Sequence, residues 1–193
     1  MRASVHHVTT RLTKLAKRPV LILLTLTLVV LGSLTVYAAV TDRNPLCLSL
    51  TVHGSINQMS VGNLTKASET ILKGSVSQVG PSWVSNGMTY TDIAVEAEEF
   101  LKGPLPRTTV QLRILGGTTT CGGIWVEDQP SFVKGEEVLL FLSSSNFVGP
   151  GESLAVVGGP QGKYTIVDGN AWWGTPSDAV PLDDLIAEIN RNL

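Results

Sequence analysis

The sequence predicts a mainly β protein: a small, closed or nearly closed antiparallel barrel, with a short N-terminal helix and a C-terminal amphipathic helix. Apolar and polar residues alternate along several short segments, and glycine-containing turns separate those segments. The last residues carry apolar side chains at helical spacing. A β-sandwich is the alternative, but a long strand preceded by a strand with a central glycine favours a barrel, because such strands bend and serve both halves of a sheet.

The short helix is expected to begin after Ser60, which suits an N-cap. The first strand covers 71–79, and Gly74 at its centre predicts a bulge or a sharp bend. Asn86-Gly87 predicts a hairpin turn into the long strand, 88–101. On that strand, apolar residues as far as Leu101 are expected on one face and acidic residues on the other.

The sequence of the second half of the domain predicts shorter strands. Residues 110–114 alternate, whereas 138–142 are continuously apolar, which indicates a strand covered on both faces. Two further strands are expected at 154–157 and 163–167. The final helix is predicted from its apolar positions, which are Leu182, Leu185, Ile186, Ile189 and Leu193.

The first 38 residues have the pattern of an export signal. Arg11, Lys14, Lys17 and Arg18 precede an apolar run at 20–36, which is followed by small residues. Cleavage after Ala38 is predicted; extended through Val40, the run has 21 residues, so a retained membrane anchor is the alternative. Either outcome places the rest outside the cytoplasmic membrane, in the cell envelope or the extracellular space. The expected organisation is a leader (1–38), a linker (39–59) and the barrel domain (60–193).

Charge argues against two classes of partner. The leader holds five of the 14 basic residues and none of the 16 acidic ones, so residues 39–193 carry a formal charge of −7. Phosphate contacts need lysine and arginine, so no nucleic acid is expected as a partner. Contact with anionic lipid is also disfavoured, which leaves the membrane as a partner only through an uncleaved N-terminal segment.

The chain has two cysteines, Cys47 and Cys121, and both lie in the exported part, where oxidation is allowed. They are a candidate disulfide, with two separate thiols as the alternative. Their spacing matches no zinc motif, and no metal or cofactor is expected.

No catalytic residue is assigned from the sequence. His53 is the only histidine outside the leader, and the predicted linker is a poor place for a rigidly held base. Asp92, Glu96 and Glu98 resemble the carboxylates of a glycosidase by spacing alone, but they are interpreted as a solvated outer face. The glycine-rich stretch 158–163 lacks the phosphate-loop spacing and is interpreted as a turn.

Three tryptophans, Trp83, Trp172 and Trp173, are the candidate partner surface. Tryptophan is enriched at binding hot spots, although the same side chains serve equally well as plugs at the end of a barrel. Trp172 and Trp173 are adjacent and cannot both point inward from an extended segment. At least one of them is therefore expected near the surface.

Several short motifs between residues 60 and 168 occur in the same order as in a group of uncharacterised exported bacterial proteins, which this chain resembles. The most specific are Leu101-Lys102-Gly103 and Gly135-Glu136-Glu137-Val138-Leu139-Leu140-Phe141-Leu142; the others are Gly74-Ser75-Val76, Ser82-Trp83, Tyr90-Thr91-Asp92, Gly116-Gly117 and Gln161-Gly162-Lys163-Tyr164. The strand pattern is also similar to the OB-like barrel of tissue inhibitors of metalloproteinases and netrin-like modules.

That second resemblance implies a binding module and not an enzyme. Those inhibitors chelate the zinc of a protease through a cysteine at the free N-terminus, whereas Cys47 would lie eight residues inside the predicted mature terminus, Ala39. Their mechanism is therefore not carried over. The expected function is a non-catalytic module that binds a protein, with a secreted peptidase as a candidate. The alternatives are a membrane-anchored structural envelope protein and a hydrolase that uses the strand carboxylates.

Overall fold

The computed structural model describes residues 26–30, 49–147, 149 and 151–193. The chain divides into two compact units, Met1–Cys47 and Leu48–Leu193. In the first unit only residues 26–30 are described, and they are helical and exposed. Among all described residues, no helix has the length and apolar character needed to cross a membrane. The predicted leader lies largely outside these residues, so the export signal and its cleavage remain predictions.

In the described part of the second unit, twelve strands form two sheets. The small sheet has the order β1-β7-β6, with β1 parallel to β7; its strands are β1 (Ser49–Val52), β6 (Gly117–Thr119) and β7 (Gly122–Val126). The strands of the large sheet are β2 (Thr70–Val79), β3 (Trp83–Ser85), β4 (Met88–Lys102), β5 (Thr109–Leu115), β8 (Glu137–Ser144), β9 (Leu154–Val156), β10 (Lys163–Val167), β11 (Asn170–Trp172) and β12 (Val180–Pro181).

Five strands of the large sheet close into a barrel in the order β2-β4-β5-β9-β8, and β8 pairs again with β2. The β5–β9 pair is parallel and joins Leu112 to Leu154, whereas the other four pairs are antiparallel. This closed five-stranded arrangement is compatible with an OB-like barrel. It confirms the predicted fold class.

Bulges bend the two longest strands of the barrel. The register of β2 against β4 shifts between Lys73 and Gly74. A Cβ atom on Gly74 would lie 2.2 Å from the backbone oxygen of Glu96, so only glycine permits this close approach. The bulge predicted at Gly74 is confirmed, but the prediction that Leu101 shares the face of the other apolar residues is wrong. Shifts in the ladder turn Leu101 towards a different core cluster, because each extra residue reverses the alternation.

Strand β8 separates the two core clusters, so the prediction that it is covered on both faces is confirmed. Val138, Leu140 and Leu142 point into the barrel, while Leu139 and Phe141 face the helices. All five side chains are fully buried. The barrel cluster is completed by Leu72, Val76, Ile93, Val95, Val110 and Leu112.

Two helices cover the outer face of β8. Helix α1 (Val61–Ala67) begins as predicted, because the Asn63 N–H donates to Ser60 Oγ at 3.3 Å. Helix α2 (Leu182–Arg191) buries Leu185 and Ile189 on one stripe, which confirms the predicted amphipathic helix.

The predicted hairpin turn is also confirmed: Asn86 and Gly87 both have positive φ, at 50° and 77°. Strand β1 in contrast lies inside the stretch interpreted as a linker. It pairs with β7, which lies about 74 residues later in the chain, so no local pattern indicates it. Strands β11 and β12 were also not predicted, because three and two residues are too short for a visible alternation.

Candidate functional site

The structure separates the three candidate tryptophans into two places. Trp172 ends β11 and Trp173 follows it directly, so these two lie together. Trp83 begins β3, which pairs with β4. In the order of the large sheet, β2, β8 and β10 stand between β4 and β11. Of the three candidates for a partner surface, Trp172 and Trp173 therefore lie together, and Trp83 lies apart from them.

Backbone hydrogen bonds hold the chain in place on both sides of Trp173. Strand β11 pairs with β10 through Trp172 and Thr165. Gly174, with φ of 77°, redirects the chain into a short 3₁₀ helix, Pro176–Asp178. The backbone N–H of Leu182 then donates to the Gly169 oxygen at 2.9 Å, which attaches the start of α2 to the β10–β11 turn. The side chain of Trp173 remains 36% exposed.

A cleft of about 350 Å³, here called the acidic cleft, lies between Trp173 and helix α2. Its lining combines apolar, aromatic and charged side chains from both sides: Val61, Tyr164, Trp173, Asp178, Val180, Pro181, Asp184, Leu185, Ala187, Glu188 and Arg191. The amphipathic helix thus contributes to the core with one stripe and to the cleft with the adjoining one.

Negative charge dominates the acidic cleft. Asp178, Asp184 and Glu188 contribute three carboxylates, and Arg191 contributes the single cation. Within the described part of the chain, none of these four side chains belongs to an ion pair. The Asp178 carboxylate accepts a hydrogen bond from Thr175 Oγ1 at 2.8 Å. The cleft therefore has a formal charge of −2 that the neighbouring protein does not neutralise.

Tyr164 forms the base of the acidic cleft and belongs to the core cluster under the helices. Burial, and to a smaller extent the nearby negative charge of Glu188, together raise the pKa of Tyr164 to about 12. Both effects disfavour the phenolate.

The raised pKa of Tyr164 predicts a loss of stability at high pH. The neutral phenol is favoured in the folded state, so its contribution is complete below pH 10 and is lost as the pH rises towards about 12. Urea unfolding of the full chain between pH 9 and 12 is expected to show this decline, and Tyr164→Phe is expected to reduce it. An unchanged decline in Tyr164→Phe would contradict the assignment.

On the other side of Trp173 lies a more polar pocket of about 250 Å³. Lys163 Nζ donates to Glu136 Oε1 at 2.5 Å, and Thr165 Oγ1 donates to the same oxygen at 2.6 Å. The Lys163 ammonium also lies 5.2 Å from the centre of the Phe132 ring. The pocket is lined by Gln129, Pro130, Ser131, Glu136, Pro160, Lys163, Thr165, Trp172, Trp173 and Gly174. The opposite charges of Lys163 and Glu136 in this pocket neutralise each other.

Trp83 packs into a separate cluster with residues of β4 and β5. Its ring lies 5.1 Å from Tyr90 and 4.9 Å from the Arg113 guanidinium, measured between centres. Arg113 donates to Asp92 through Nε at 2.7 Å and Nη2 at 3.2 Å, and Trp83 Nε1 donates to the same carboxylate at 3.2 Å. Since Arg113 is only 3% exposed, this is a buried polar network that positions Trp83.

Arg113 was missed in the sequence because it alternates with Val110, Leu112 and Ile114 on β5, and the pattern assigns it to the solvent side. The proximity of Asp92 on the neighbouring strand follows only from the register, which places the two residues opposite each other. A buried arginine paired with a carboxylate carries no signal in a single sequence.

The three carboxylates of the hydrolase alternative point to three different partners. Asp92 is bound by Arg113, Thr109 Oγ1 donates to Glu96 at 2.9 Å, and Lys73 Nζ donates to Glu98 at 2.9 Å. The outer face of β4 is thus charged, as expected, but Asp92 on this face also pairs with the buried guanidinium of Arg113.

Cys121 is disulfide-bonded, and its predicted partner, Cys47, lies outside the described residues. The pairing between them stays a prediction. His53 is exposed and contacts Glu127 at 2.7 Å. Among the described residues, no three histidine, cysteine, aspartate or glutamate side chains are grouped as for a metal ion.

Neither a comparison with models of protein families nor one with curated proteins finds a match for this chain.

Proposed function

We propose that this chain is an extracytoplasmic binding module, and that the surface around Trp172 and Trp173 receives a segment of a protein partner. The observation that carries the proposal is the position of Trp173: its side chain is 36% exposed and separates two clefts. Tryptophan is enriched among the few residues that contribute most of the binding energy at protein interfaces.

The support beneath Trp173 favours binding without a large change of shape. β10 pairs with the barrel strand β8, and α2 buries Leu185 and Ile189 in the core. A rigid scaffold reduces the entropy lost on association, because few groups must be ordered when the partner arrives.

Two parts of the proposal rest on the sequence. The extracytoplasmic location follows from the predicted leader, and a protein as the partner is supported by the acidic composition, which disfavours nucleic acid and anionic lipid. A secreted peptidase is the candidate partner because the strand pattern is similar to that of inhibitor barrels. The closed barrel is compatible with that similarity at the level of fold alone.

Binding of the full-length chain to a panel of secreted peptidases tests the proposal. We expect micromolar or tighter binding to at least one peptidase, and Trp173→Ala is expected to weaken it about tenfold or more, since removal of a hot-spot tryptophan typically costs above 1–2 kcal/mol.

Trp125→Ala is the matched control. Trp125 is 67% exposed, on strand β7 of the small sheet, and it lines neither cleft. Equal weakening by both substitutions would contradict the placement of the site. The absence of binding to any peptidase at micromolar concentration would remove peptidases as the partner.

A further inference from the structure

We infer that the acidic cleft is a subsite for one lysine or arginine side chain of the protein partner. The inference rests on the proposed function, because it assumes that a protein segment reaches this surface. The inference adds to the proposed function the type of side chain that the partner segment places in the acidic cleft.

The charge of the acidic cleft selects a cation. Asp184 and Glu188 are four residues apart on α2, so their side chains lie on the same face of the helix, and Asp178 adds a carboxylate from the opposite wall. Arg191 is the only cation in the lining and forms no ion pair among the described residues. An anionic group would be repelled by this set of charges, and a neutral apolar group would bury the half-exposed Glu188 without a partner.

The apolar part of the cleft suits the stem of the same side chain. Lysine and arginine combine a hydrocarbon stem with a charged end, so they fit a wall that is apolar on one side and acidic on the other. Trp173 and Val180 supply the apolar wall, and both side chains are exposed. The face of an indole ring also attracts a cation directly, through its quadrupole.

The field of the carboxylates extends to the base of the cleft. The negative charge of Glu188 contributes to the raised pKa of the buried Tyr164 below it. The pocket on the other side of Trp173, in contrast, has its own compensated pair, Glu136 and Lys163.

A library of random hexapeptides, offered to the immobilised full-length chain, is the experiment. Lysine and arginine together are expected to be enriched about tenfold at one position of the captured peptides, since a hydrogen bond between charged groups contributes about 1.5–3 kcal/mol. In the double variant Asp184→Asn/Glu188→Gln, the enrichment is expected to fall to about twofold or less.

Asp183→Asn is the matched control. Asp183 lies in the first turn of α2 beside Asp184, so its substitution has the same effect on the helix dipole, but it does not line the cleft. Circular dichroism of the wild-type chain, of Asp183→Asn and of the double variant is the check that the substitutions leave the helical signal unchanged. Full enrichment in Asp183→Asn, together with its loss in the double variant, is the expected result.

The remaining outcomes overturn the inference in distinguishable ways. Peptides captured without lysine or arginine, and lost in Trp173→Ala, would leave the proposed function and remove the cationic subsite. Enrichment that persists in the double variant would place the cation elsewhere. If the wild-type chain captures no peptide above the blank, the proposed function fails, and the subsite fails with it.

Discussion

Replacement of Phe141 with alanine is expected to lower the free energy of unfolding by about 3–5 kcal/mol, the usual cost of truncating a large core aromatic side chain. Phe141 is fully buried in the cluster that joins β8 to both helices, and its ring lies 6.1 Å from that of Tyr164. The cavity would lie beneath α2, whose Leu185 and Ile189 belong to the same cluster. Urea unfolding of the full chain, followed by tryptophan fluorescence, measures the loss.

Phe147→Ala is the control for this variant. Phe147 is half-buried in the loop after β8, where it contacts Tyr90 at 5.8 Å between ring centres. Solvent can fill the space that its truncation leaves, so the expected loss is well below that of Phe141→Ala. If the two variants lost the same stability, Phe141 would not be the centre of this cluster.

Replacement of Asp92 with alanine is expected to cost about 3 kcal/mol, because it leaves the Arg113 charge in the protein interior without its carboxylate. Arg113 is 3% exposed, whereas the Asp92 side chain is 34% exposed, so some water reaches the pair, and the estimate stays at the lower end of the range for buried pairs. Trp83 also donates to Asp92, and its fluorescence is therefore expected to change in the folded variant.

Glu98→Ala is the matched control on the same strand. Glu98 pairs with Lys73, but its side chain is 48% exposed, and exposed pairs contribute about 0–1 kcal/mol. The double variant Asp92→Ala/Arg113→Leu is expected to be more stable than Asp92→Ala alone, since no buried cation remains. A loss in Asp92→Ala no greater than that in Glu98→Ala would show that Arg113 does not depend on this carboxylate.

The local elements of the fold could be predicted because each has a local cause. The Ser60 cap, the Asn86-Gly87 turn and the apolar run at 138–142 depend on neighbours within a few residues, and all three occur as expected. Strand β1 could not be predicted, since its hydrogen-bond partner lies in β7. Leu101 was assigned to the wrong face because bulges in β4 change the alternation at points that the pattern does not mark.

The candidate site also combines features with a local cause and features that depend on distant residues. The sequence identified Trp172 and Trp173 as candidates, because adjacent residues of an extended segment cannot both point inward and tryptophan is enriched at binding hot spots. It did not indicate Asp178, Asp184 or Glu188, whose charges alone are typical of an exposed helix end. They line a cleft with Val61 and Tyr164 only because α2 packs on a core cluster whose members come from distant parts of the chain.

By itself, then, the sequence determined the longer strands of the barrel, the Asn86-Gly87 turn and both helices of the domain, since these depend on interactions between near neighbours. Only the tertiary structure decided that Arg113 is buried against Asp92, that Trp83 packs against Tyr90 and Arg113, and that Trp173 stands between two clefts. Each of these depends on strand register and helix docking, which bring together residues whose order in the chain carries no record of their contact.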